Sequence, residues 1–229
     1  MTNNIRTKFE NKNSLAKSLK NEAKIYQYLN YKSSVFPKLK YYGVIDEYNY
    51  LVTSFVGSSL DKIIVDFNRF IEISTQIIKC VKILHDNLLV HRDLKPSNIL
   101  FNDDLNKIFL IDFGFTKRYI DDNNKHIPET KTNNIIGSLN FVSLNVHNNI
   151  QPSRRDDLES CVYIMMYLYF NRNLEWFNKK NINEIIELKQ NIVDNTRVPI
   201  FIRNILSYVR QLTFDETPNY AHIVSLFKG

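Results

Sequence analysis

Glycine is scarce: the 229 residues contain five, at Gly43, Gly57, Gly114, Gly137 and Gly229. None stands before Lys8, which excludes a G-x-G-x-x-G turn ahead of that position. Cysteine is scarcer still. Cys80 and Cys161 lie inside apolar helical patterns, so no disulfide framework is possible and the expectation is two reduced core thiols. Neither has a partner at metal-ligand spacing, and the five histidines do not cluster, so no structural zinc is expected. No run reaches the roughly 18 apolar residues of a membrane span. The most apolar stretch, Cys161 to Phe170, reads as a buried helix. Residues 1–13 are polar with no apolar signal region, which predicts a cytosolic or nuclear location. No repeat and no Pro/Gly/Ser linker divides the chain.

What is present has the balance of a globular domain: 44% hydrophobic and 24% charged residues. The net charge of +6 suits nucleic acid or acidic protein partners. The positive residues are scattered, however, with no basic run interleaved with aromatics. A solvated surface is therefore preferred over a nucleic-acid interface.

Periodicity predicts a helix over 14–30, with Leu15, Leu19, Ala23, Tyr26 and Leu29 on one face. Strands follow at 39–45 and 49–56 around the acidic turn Asp46-Glu47. A short helix is expected over 60–67. A long amphipathic one is expected over 70–87, with Ile73, Ile77, Ile78, Val81 and Leu84 inward. Strands at 98–101 and 107–111 flank a turn at 102–104, and residues 114–150 read as irregular. Helices are predicted at 156–170, 181–190, 199–213 and 219–227. A helix and strands first, then mostly helices, predict an α+β, two-lobed fold with the second lobe larger.

The chemistry concentrates in His91-Arg92-Asp93-Leu94-Lys95-Pro96-Ser97-Asn98 and in Asp112-Phe113-Gly114 after the strand pair. Asp93 is a carboxylate suited to accept a proton from an attacking hydroxyl. Lys95 can neutralise charge on a phosphoryl group in transfer. Asn98 and Asp112 offer the oxygen ligands that suit Mg²⁺. Gly114 permits a sharp turn beside them. Order and spacing together resemble the catalytic loop and metal-binding triplet of protein kinases.

The segments Gly137-Ser138, Val142-Ser143-Leu144-Asn145, 151–170 and 212–220 resemble the casein kinase 1 group, as does Asn21-Glu22-Ala23-Lys24-Ile25-Tyr26. The likeness runs from Lys8 to about Phe227. It implies a kinase domain with a partial N-lobe at 1–56 and a C-lobe at 57–229. It implies ATP and Mg²⁺ as cofactors and a serine/threonine protein substrate. Asp93 and Lys95 would be catalytic, and Asn98 and Asp112 would hold the metal. Lys8, fourteen residues before Glu22, would hold the α- and β-phosphates and pair with Glu22; the alternative for Lys8 is a solvated lysine near the terminus. Thr53 would be the gatekeeper, and the backbone of Ser54, Phe55 and Val56 would face adenine. Asp157 would cap the catalytic loop, with a plain helix N-cap as its alternative. His85 reads as a packing residue.

The resemblance also shows what departs from the pattern. Without a glycine-rich loop the nucleotide lacks backbone donors, and the Lys8 strand becomes an exposed edge that a partner chain could fill. A natural truncation, a split gene or a start assigned too late would each give this sequence. Lys117, Arg118, Arg154 and Arg155 fit a preference for acidic substrates, while Asn140 and Glu187 stand where basic residues are expected. Two functions follow: an active kinase, or a kinase-like scaffold without turnover.

Overall fold

The structure is a computed structural model that describes residues 5–14, 17–102 and 107–228. It begins with β1 (Ile5–Asn11), α1 (Leu19–Leu29), β2 (Leu39–Ile45) and β3 (Tyr48–Ser54). The three strands form an antiparallel sheet in the order β1-β3-β2. A second sheet joins β4 (Ser58–Ser59), β6 (Ile99–Phe101) and β7 (Ile108–Leu110). A third pairs β5 (Leu89–Val90) with β8 (Lys117–Arg118). The helices α2 (Phe67–Asp86), α3 (Leu144–His147), α4 (Arg154–Tyr169), α5 (Ile182–Gln190), α6 (Ile200–Gln211) and α7 (Tyr220–Ser225) make up the rest. A small β-rich part thus precedes a larger helical part, as the sequence predicts. Among the described residues no helix is long and apolar enough to cross a membrane.

Helix α4 is the centre of the helical part. Every residue from Leu158 to Leu168 is buried, so it is apolar or satisfied on all sides, the mark of a core helix. Helices α2 and α6 pack on it. The face of α2 predicted from the sequence is inward: Ile73, Ile77, Ile78, Val81 and Leu84 are all at most 1% exposed. Burying each such side chain contributes about 2 kcal/mol against the cost of ordering it. Asp66 caps α2 by accepting from the Arg69 amide at 2.9 Å.

Several boundaries differ from the sequence reading, three of them with a visible cause. Helix α1 begins at Leu19, not at 14, because the Glu10 carboxylate of β1 accepts the Ser18 and Leu19 amides at 2.7 and 2.9 Å and closes the first turn there. Leu15 lies outside the described residues. The expected helix over 60–67 is one 3₁₀ turn, Leu60–Lys62, since Ile63 is extended and Asp66 starts α2 afresh. The strand expected to run to 56 ends at Ser54, whose amide donates to Lys38 and whose hydroxyl accepts from it. Within 114–150, α3 and β8 are ordered pieces of a segment read as irregular. The predicted turn at 102–104 lies largely outside the described residues.

Lys189 of α5 is fully buried and fastens this segment. Its Nζ donates to the carbonyls of Leu139 and Val142 at 3.0 and 2.7 Å and meets His147 Nε2 at 3.0 Å, over the rings of Tyr163 and Trp176. Burial, aided by the Lys189 charge, pushes the His147 pKa down to about 4 from its usual 6.5. Between these values the unfolded chain takes up a proton that the folded one refuses, so stability falls as pH drops through this window. Thermal melting from pH 6.5 to 4 should show the native protein losing Tm faster than a His147→Gln variant. Parallel curves would refute this coupling.

Candidate functional site

The polar residues singled out in the sequence converge between the two parts. After β5 the chain turns through His91 and Arg92, and Arg92 sits in the left-handed region at φ 70°. An arginine is held there only if its surroundings over-determine it. Asp157 of α4 does so: its carboxylate accepts from the His91 amide at 2.6 Å and the Arg92 amide at 2.9 Å. Asp157 is thus a clamp on the loop and not a helix cap. Its Oδ2 also meets His85 Nε2 at 3.0 Å, while His85 Nδ1 meets the Tyr220 hydroxyl at 2.6 Å. His85, read as packing alone, is a link in this chain. Burial works to raise the Asp157 carboxyl, but the His85 contact and neighbouring donors hold it below its ordinary pKa.

Asp93 is 5% exposed, with both oxygens engaged. Oδ1 accepts from the Ser138 hydroxyl at 2.7 Å; Oδ2 lies 2.8 Å from Lys95 Nζ and 3.2 Å from the Asn98 amide nitrogen. Lys95 donates to the Ser138 oxygen at 3.0 Å, closing a ring of Asp93, Ser138 and Lys95. The ring needs Gly137 (φ 106°), where a Cβ would stand 2.5 Å from the Arg92 carbonyl. Asn98 also donates to the Asp93 carbonyl at 2.9 Å, which leaves its Oδ1 as the atom to face a cation.

Asp112, left-handed at φ 67°, turns its carboxylate to Lys8, with Nζ–Oδ1 at 2.8 Å. The same ammonium meets Glu22 of α1 at 2.9 Å. Lys8 is therefore no loose surface lysine. Burial opposes its charge, but Glu22 and Asp112 outweigh it and raise its pKa, and Lys8 likewise holds Asp112 below its usual range against burial. Phe113 is fully buried against Tyr26, Phe36 and His91, at ring separations of 4.9, 5.8 and 5.5 Å.

Two cavities meet the site. A slot of about 10 Å³ lies among Arg6, Lys8, Glu22, Thr53 and Asp112. A wider cleft of about 430 Å³ is lined by Ile5, Arg6, Phe55, Ser58, Ser59 and Lys62. Thr53 is buried beside Lys8, and Phe55 lines the cleft, while Ser54 and Val56 line neither cavity. Asn98 and Asp112 offer two oxygen ligands, the number of protein ligands Mg²⁺ often takes when phosphates and water complete its shell.

The sequence reading missed several residues. Ser138 was visible only as part of a Gly-Ser pair. Asn21 of α1 places its amide 3.0 and 3.2 Å from the Gly114 and Thr116 carbonyls, and nothing in its spacing announced this. Glu10, which caps α1, gave no signal either. Two expected substrate-binding residues are consumed internally. Arg154 is buried, donates to the Asp215 carbonyl and covers the Tyr119 ring at 4.4 Å. Arg155 holds Glu129 and the Leu212 carbonyl. Lys117 and Arg118 remain exposed.

The family model of the protein kinase domain matches residues 3–215. The chain therefore belongs to the protein kinase family, with the mixed α+β content of that domain.

Removing the Asp157 carboxylate would strand two amide donors in a buried site. Asp157→Ala should lower unfolding stability by about 3 kcal/mol in urea titrations, and Asp157→Asn by less. A loss below about 1 kcal/mol for the alanine variant would show that the loop does not lean on this residue.

Proposed function

We propose that this member of the protein kinase family transfers the γ-phosphoryl group of ATP to serine or threonine hydroxyls of proteins, in acidic sequence contexts. The observation that carries the reading is the Asp93–Ser138–Lys95 ring. It holds a carboxylate and an ammonium within 2.8 Å of each other, against Ser138 of the segment 114–150. In this reading Asp93 accepts the proton of the attacking hydroxyl and Lys95 neutralises charge on the group in transfer. Lys8, oriented by Glu22, binds the α- and β-phosphates. Asn98 and Asp112 would hold Mg²⁺, which when bound supplies charge neutralisation for the phosphates. Thr53 and the segment Ser54, Phe55 and Val56 would border adenine.

The casein kinase 1 likeness supports serine/threonine substrates and the division into an N-lobe at 1–56 and a C-lobe at 57–229. With Arg154 and Arg155 engaged, the acidic preference rests on Lys117, Arg118 and the net charge of +6. The scaffold reading has its own support. β1 lies at the end of the sheet order β1-β3-β2, so among the described residues its outer edge is unpaired and open to a partner strand.

Phosphate transfer from labelled ATP with Mg²⁺ to an acidic protein substrate separates the two. The expected result is transfer by the native chain and a loss of at least about 100-fold in Asp93→Asn. No transfer by either protein would favour the scaffold.

A further inference from the structure

Alternation along β1 sends Arg6, Lys8 and Glu10 to the same face. Two of the three are accounted for: Lys8 by Glu22 and Asp112, and Glu10 by the first amides of α1. Arg6, opposite Thr53 in the strand register, is the third. Among the described residues its guanidinium has no hydrogen bond or ion pair. Among them, too, it alone lines both cavities of the site: the slot beside Lys8 and Asp112, and the wide cleft beside Phe55, Ser58 and Lys62.

The charges of the slot make this position informative. Lys8 brings one positive charge and Glu22 and Asp112 bring two negative ones, so without Arg6 the slot is net negative. A polyphosphate would then enter against repulsion. Arg6 restores the balance at the junction of slot and cleft, where a nucleotide with its base in the cleft would carry its phosphates toward Lys8. A guanidinium also offers paired donors that match phosphate oxygens, and here those donors are not committed to protein acceptors.

We infer that Arg6 is a nucleotide-phosphate-binding residue, which grips the di- or triphosphate from the β1 strand alongside Lys8. This rests on the kinase reading of the site. It adds a second cation to the phosphate subsite, two residues from the one expected there. It also gives the strand a donor fork in a stretch of sequence that has no glycine to bring backbone amides close.

The test is equilibrium binding of ADP and of adenosine to the full chain, by calorimetry, for the native protein, Arg6→Ala and Arg6→Lys. Arg6 is exposed at a strand edge, and thermal melting checks that each variant is folded. The expected result is about a tenfold loss of ADP affinity in Arg6→Ala, with adenosine affinity within twofold of native. Arg6→Lys, which keeps the charge but not the fork, should recover part of the loss. Equal losses for ADP and adenosine would overturn the inference, because Arg6 would then be contacting the base. Unchanged ADP affinity in Arg6→Ala would overturn it too, while leaving the kinase reading intact. A native protein that binds neither ligand would overturn the kinase reading and this inference with it.

Discussion

The site depends first on one buried carboxylate. Asp157 accepts two consecutive backbone amides of the loop that carries Asp93, and this holds Arg92 in a conformation that costs an L-residue on the order of 1–3 kcal/mol. Everything beyond follows from that turn. It sets the Arg92 carbonyl against Gly137, and it sends Asp93 toward Ser138. It also points the His91 ring inward, where its Nε2 meets the Ile111 carbonyl one residue before Asp112. The carboxylate can stay ionised in the core because the His91 and Arg92 amides and His85 surround it, and the far ring nitrogen of His85 is held by the Tyr220 hydroxyl.

A second set of contacts fixes the small sheet and α1 over this loop. β1 contributes twice from one face, with Lys8 bridging Glu22 and Asp112 and Glu10 closing the start of α1. Asn21, one residue before Glu22, ties the helix to the backbone beyond Asp112. Strand, helix and the triplet 112–114 are joined by short polar contacts, each with a named partner.

Much of this was legible from residues alone, and the reason is the kind of signal each feature leaves. The loop 91–98 and the triplet 112–114 are local in sequence, and each side chain has a role that few other residues could fill. Helix α2 announced itself by its period and α4 by its apolar run, and both came out within a few residues of the expected bounds. What was hidden depends on contacts between distant positions. Glu10 decides where α1 starts, yet nothing in the neighbourhood of residue 14 says so. Ile63 looks compatible with a helix over 60–67 until Asp66 caps the next one. Arg154 and Arg155 read as surface cations because sequence cannot show the Asp215 and Leu212 carbonyls arriving from the far end of the chain. The internal ring of Asp93, Ser138 and Lys95 spans 45 residues and was visible only as its separate parts.

The unbroken burial of α4 from Leu158 to Leu168 has a dynamic consequence. That stretch has no solvent-facing side and cannot be uncovered by fraying at an edge; exposing it requires packed helices such as α2 and α6 to move away. Its amides should therefore exchange with deuterium only through the largest openings of the molecule, while the edge strand β1 exchanges through small ones. Asp157 is rooted in that slowest-exchanging element. The loop it holds should thus keep its shape through the local openings that loosen the sheet above.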